Sequence, residues 1–145
     1  MGVILNRPLG KKLHQLDEQF NHFSLGQAEV YDGGPVEREK LIIAAWDWKD
    51  SAESFRLYFG IDITKAESLQ EENQNIHIAC FLGHSGWSPG QLENELEIKS
   101  WLVSHLNLQL FEQIHSKSDC WRCAVSGVSD EMRLLANAPE KPWRN

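Results

Sequence analysis

Apolar and polar positions alternate over several short stretches of this chain and recur every three or four residues over others. The clearest alternation runs from Ile76 to Leu82. Ile76, Ile78, Cys80 and Leu82 share one face, and His77, Ala79 and Phe81 share the other, as a strand requires. Leu41–Trp46 is almost wholly apolar, which suits a strand covered on both faces. Ser54–Phe59 puts Phe55, Leu57 and Phe59 on one face and Arg56 and Tyr58 on the other, the pattern of a half-exposed strand. Gly2–Asn6 and Gln27–Tyr31 read as further short strands, the first ended by Arg7-Pro8. Trp101–Ser104 reads as another.

Helical spacing appears at Leu13, Leu16, Phe20 and Phe23, so Lys11–Phe23 is expected to form an amphipathic helix. Thr64-Lys65-Ala66-Glu67 and Ser88-Pro89-Gly90-Gln91 have capping-box spacing, and each should open a helix. In the second, Pro89 would stand at the first helical position. Leu92 and Leu96 would face inward, and Glu95 and Lys99 would pair across one turn. Ser118 or Asp119 should cap a helix through Trp121 and Val125, and Ser129 or Asp130 a last one. Short strands with scattered helices define an α+β fold: a bulged, mostly antiparallel sheet with a few flanking helices. No linker or repeat divides residues 1–145, which read as one domain.

Charge narrows the function. The formal net charge is −7. Nucleic acids and anionic membranes require a basic face, so the balance argues against direct binding to either. No apolar run is long enough to span a bilayer. The N-terminus lacks the pattern of a signal peptide. Three cysteines, an odd number, point to free thiols in a reducing cytoplasm.

Three segments carry chemical hints. Gly83-His84-Ser85-Gly86-Trp87 follows a strand and precedes a helix, as a nucleophile elbow does. The fifth position is Trp87 rather than glycine, and the helix starts later than an elbow requires. His105, His115, Glu93 and Glu112 lie downstream, but no spacing selects a triad among them. The same loop leads into a helix N-terminus, where backbone N–H groups with His84 and Ser85 could hold an anion. Against this stands ordinary capping by Ser88 and Gln91. Cys120-Trp121-Arg122-Cys123 has redox or metal spacing, yet lacks a second ligand pair and a preceding strand. Two small residues on one helix face explain it. Asp32-Gly33-Gly34-Pro35 could form an anion nest, or simply turn the chain between strands. His14, His22 and His77 have no partner at ligand spacing. No cofactor or metal is implied.

Together these segments resemble the bacterial AlgH/YqgE family. The resemblance rests on Gly2-Val3-Ile4-Leu5-Asn6-Arg7-Pro8, Gly33-Gly34-Pro35-Val36, the run Gly83–Glu95, and Trp101, with a weaker echo at Trp121 and Ala124. It covers residues 2–127 and implies an α+β fold of uncharacterised activity, often labelled a transcriptional regulator. The family has no agreed catalytic residues. Its central motif admits alanine where Ser85 stands, and Cys120 and Cys123 lie outside its pattern. Members carry a further N-terminal segment with another strand, so this chain is expected to be truncated. Its sheet would then offer an open edge to a second copy.

The expected function is a non-catalytic binding or regulatory module. Its surface would comprise Asn6, Arg7, Gly33, Gly34, His84, Ser85, Trp87, Ser88 and Gln91, brought together at strand ends. The expected partner is a protein or a small anionic ligand. The alternative is a small hydrolase or anion-handling enzyme using the Gly83–Trp87 loop.

Overall fold

Alternating stretches become the strands of one open sheet. The computed structural model describes residues 1–49, 54–106, 108–114 and 117–138. The strands are β1 (Pro8–Lys12), β2 (Glu29–Asp32), β3 (Val36–Lys49), β4 (Ser54–Ile61) and β5 (His77–His84). Their order across the sheet is β1-β2-β5-β3-β4. Only β2 and β5 run parallel; the other three pairings are antiparallel. Five α-helices occur among the described residues: α1 (Ile63–Glu72), α2 (Gln91–Glu97), α3 (Leu108–Glu112), α4 (Lys117–Ser126) and α5 (Asp130–Ala136). The α+β expectation holds. The chain divides into two compact units, Met1–Gly86 and Trp87–Asn145.

The first unit holds the whole sheet. Side-chain alternation sends Val30, Ile43 and Cys80 to one face, where Leu13, Leu25 and Ala66 of α1 join them in a buried cluster. Ala45, Leu69 and Ile76 extend that layer. Tyr31, Ile42, Ala44, Trp46, Ala79 and Phe81 point to the opposite face and are also buried. Both faces of Ile42–Trp46 in β3 and of Ala79–Phe81 in β5 are therefore covered, as such apolar runs require. Asp47 is the buried charge of β3. Arg56, opposite it on β4, donates to its carboxylate through Nε at 2.8 Å and through Nη2, and Asn73 Nδ2 donates at 2.7 Å. Removing any of these donors would leave a buried anion short of partners, which is far costlier than the bonds themselves are worth.

Several local expectations are corrected. The first strand is Pro8–Lys12, not Gly2–Asn6. Proline is tolerated there because it opens an edge strand and owes no ladder hydrogen bond. Gly2–Asn6 runs alongside instead, with a single bridge from Gly2 to Ser85. Lys11–Phe23 is not one helix. It finishes β1 and continues as 3-10 turns at Leu13–Gln15 and Glu18–His22, followed by a third at Ser24–Gln27. Leu13 is fully buried, and Leu16 and Phe20 pack beside it, so the apolar spacing marked burial correctly but not helix type. The helix expected at Thr64 starts at Ile63, with Asp62 accepting from the Lys65 amide at 2.8 Å. The expected Trp101–Ser104 strand is irregular and exposed.

In the second unit α4 packs against α3 and α5. Among its described residues, Leu110, Ile114, Cys120, Val125 and Ala136 are buried apolar side chains. The helix expected at Ser118 or Asp119 begins at Lys117, and Ser129 accepts from the Met132 amide at 3.2 Å to cap α5.

Candidate functional site

Strand order creates a crossing at the C-terminal end of β5. β2 lies on one side of β5 and β3 on the other, and only Gly33, Gly34 and Pro35 connect them. Asp32-Gly33-Gly34-Pro35 is therefore not a hairpin turn; it carries the chain over the end of an intervening strand. Backbone must pass against backbone, and glycine makes that approach feasible. A Cβ on Gly33 would sit 2.3 Å from the Gly83 carbonyl oxygen, and one on Gly34 would sit 2.4 Å from the His84 carbonyl carbon. Gly83 has a left-handed φ of 72°, and its Cβ would meet the Gly34 carbonyl oxygen at 2.4 Å.

The N-terminal segment closes over this crossing. Gly2 and Ser85 exchange two backbone hydrogen bonds of 2.9 and 2.8 Å. The Ile4 amide donates to Gly33 O, and the Asp32 amide donates to Arg7 O, each at 2.9 Å. Arg7 also lies 3.8 Å from the Asp32 carboxylate. Thus Asn6-Arg7, Gly33-Gly34 and His84-Ser85 converge within the first unit. Their backbone donors are largely spent on one another. Gly33 N–H donates to Leu82 O at 2.7 Å, and Gly34 N–H to Asp32 Oδ1 at 3.2 Å. A carboxylate already occupies the Gly34 amide, so the glycines serve the crossing rather than an anion nest.

The side chains at the rim are less committed. His84 is buried, and its Nδ1 makes no hydrogen bond among the described residues. It faces Glu37 Oε2 at 3.7 Å. Glu37 sits on a wide bulge: Val36 pairs with His84 and Leu41 with Leu82, so residues 37–40 stand opposite Gly83 alone. Glu37 itself has a positive φ of 46°. Lys40 donates to its carboxylate at 3.0 Å and holds that carboxyl below its ordinary range. Glu37, Arg38, Glu39 and Lys40 are all exposed. Sequence reasoning missed this charged rim. Its signal was the abrupt change from four charged residues to the apolar run at Leu41.

Ser85 stands directly after β5, at the bridge to the N-terminal segment. Its backbone is locked to Gly2, and no hydrogen bond joins its Oγ to a histidine among the described residues. His115 lies outside the described residues.

Trp87, Ser88 and Gln91 belong to the second unit. The helix begins at Gln91 with Gly90 as its cap, not at Pro89. Half of the expected capping box forms, since the Ser88 amide donates to Gln91 Oε1 at 3.1 Å. Glu95 does not reach for Lys99. It accepts from Trp101 Nε1 at 2.6 Å, Trp87 Nε1 at 3.0 Å and Gln91 Nε2 at 2.9 Å. The two indoles meet edge to face, with centroids 6.0 Å apart.

These bonds, led by that from Trp101, hold the Glu95 carboxyl below its ordinary value of 4.5. A depressed folded value stabilises the clamp above the unfolded carboxyl range and loses that contribution as pH falls through the folded value. We predict an acid transition in tryptophan fluorescence below pH 4.5, absent from Glu95→Gln. An unchanged transition in that variant would assign it elsewhere.

Cys80, Cys120 and Cys123 are free. Burial raises the Cys80 thiol to about 12 and also raises that of Cys120. Neither resembles an activated thiolate, which needs a lowered value. Among the described residues no three His, Cys, Asp or Glu side chains form a metal cluster. No described helix is long and apolar enough to cross a membrane.

An open, bulged α+β sheet with a glycine crossing closed by its N-terminal segment defines the class. The chain belongs to the AlgH-like family, whose model matches residues 1–133. A UPF0301 protein of Chlorobium phaeobacteroides is 32% identical over 152 residues, covering 100% of this chain and 79% of that protein. A UPF0301 protein of Ruegeria pomeroyi is 31% identical over 146 residues, covering 94% and 78%. The solution structure of the AlgH protein from Pseudomonas aeruginosa superposes with a TM-score of 0.61 at 21% identity, over 96% of this chain and 77% of that one. At that identity the likeness speaks for the fold alone.

Proposed function

We propose that this chain is a non-catalytic binding or regulatory module of the reducing cytoplasm. Its surface is the end of β5, where Asn6, Arg7, Gly33, Gly34, His84 and Ser85 converge. The observation that carries this reading is the division of labour there. Backbone polar groups are consumed by the crossing, while Arg7, Glu37 and the Nδ1 of His84 remain at its rim. Recognition therefore falls to side chains of both signs, a pattern suited to a protein partner or a small anionic ligand. Ser85 contributes backbone geometry rather than a reactive oxygen.

An NMR titration of the labelled chain with inorganic phosphate separates the two partners. Perturbations centred on Arg7 and His84, and lost in Arg7→Ala, are expected for an anionic ligand. Silence at those amides at millimolar phosphate would exclude that ligand and leave the protein partner. Perturbations centred elsewhere would contradict the assigned surface.

A further inference from the structure

We propose that β4 is a self-pairing edge through which two copies of this chain join their sheets. The sheet has two edges among the described residues, β1 and β4. They are built differently. β1 carries Pro8, a left-handed Gly10, Lys11, Lys12 and a register break between Pro8 and Lys11. Each of these is a device that discourages another strand from pairing. β4 has eight residues, no proline and no lysine. Leu57 and Phe59 on it are 52% and 37% exposed, a combination that natural edges avoid unless something pairs there.

The sequence of β4 is self-complementary. Gly60, left-handed at φ 69°, is the bulged residue, because Ile61 pairs with Ile43 and Phe59 with Ala44. The straight run therefore ends at Phe59. A two-fold antiparallel pairing of that run places Leu57 on the axis, against Leu57 of the second copy. Phe55 then lies opposite Phe59, apolar on apolar. Arg56, the only charge of the strand, lies opposite Tyr58 and not opposite another cation. Arg56 is moreover already neutralised by Asp47. Two chains of net charge −7 thus meet along a strip that carries no like-charge contact. A closed two-fold contact of this kind uses the same patch on both copies.

Sedimentation of the full chain tests this. The wild-type protein is expected at twice the chain mass, dissociating on dilution. Leu57→Lys places two lysines face to face on the axis and is expected at the mass of one chain. Leu57→Glu is expected to do the same. An equimolar mixture of the two variants should regain the doubled mass, because lysine then faces glutamate. Circular dichroism unchanged from wild type confirms that both variants fold, as a half-exposed position allows. A wild-type protein with the mass of one chain at all concentrations would overturn the proposal. So would a Leu57→Lys protein that associates as wild type does, or a mixture that stays dissociated.

Discussion

Gly83→Ala is expected to be among the most damaging single-methyl additions in this chain, costing roughly 4 kcal/mol, the sum of a left-handed alanine's strain and forced overpacking. Both penalties act there. The residue has φ 72°, and the new Cβ would stand 2.4 Å from the Gly34 carbonyl oxygen and 3.0 Å from that of Val36. Those neighbours are backbone in the crossing itself, so they cannot swing aside. Gly60→Ala is the matched control. It shares the positive φ, at 69°, but its Cβ would meet nothing within 4 Å. It should cost about 1 kcal/mol, the conformational share alone. Gly33→Ala isolates the other share, because its φ is not left-handed and its Cβ would meet Gly83 O at 2.3 Å. Chemical denaturation of the three variants measures the order. Equal losses at Gly83 and Gly60 would show that the crossing is not tightly packed.

Arg56→Ala is expected to lower the melting temperature more than Asp47→Asn does. The two partners are unequally placed: the Asp47 side chain is 5% exposed and that of Arg56 is 38% exposed. Without Arg56, a buried carboxylate loses both guanidinium donors, the charge that balances it, while Asn73 stays in place, and breaking a buried pair typically costs about 3 kcal/mol or more. Asp47→Asn removes the charge itself, and the released guanidinium can turn to water. Thermal melts at neutral pH compare the two. A larger fall for Asp47→Asn would mean that the pair is held by geometry rather than by the burial of Asp47.

Much of the fold could be read from local pattern, because its central strands obey local rules. β5 alternates, β3 is apolar from Leu41 to Trp46, and β4 alternates, so each declared itself within eight or so residues. Lys11–Phe23 misled because its spacings of three fit successive short 3-10 turns, and the step of four from Leu16 to Phe20 spans the break between two of them. Gly2–Asn6 misled because its backbone is satisfied by a crossing made far along the chain, not by a ladder. Glu95 was expected to pair with Lys99, yet Lys99 has left the helix at φ 57° and two indoles took its place. The crossing was legible as a list of turns, since Asn6-Arg7, Gly33-Gly34 and His84-Ser85 do meet. Its mechanical purpose was not. That purpose follows from β2 and β3 flanking β5, a fact of strand order that no local stretch records. The charged rim at Glu37–Lys40 was hidden for the same reason: a bulge is defined by its partner strand.

Turnover by Ser85→Ala bears most directly on whether the bend after β5 is a scaffold or a reaction centre. Purified wild-type and variant chains would be compared on a panel of carboxylic and phosphate esters. The scaffold predicts that the two behave alike, with no hydrolysis beyond the buffer rate. Specific wild-type turnover that disappears when that single oxygen is removed would contradict it.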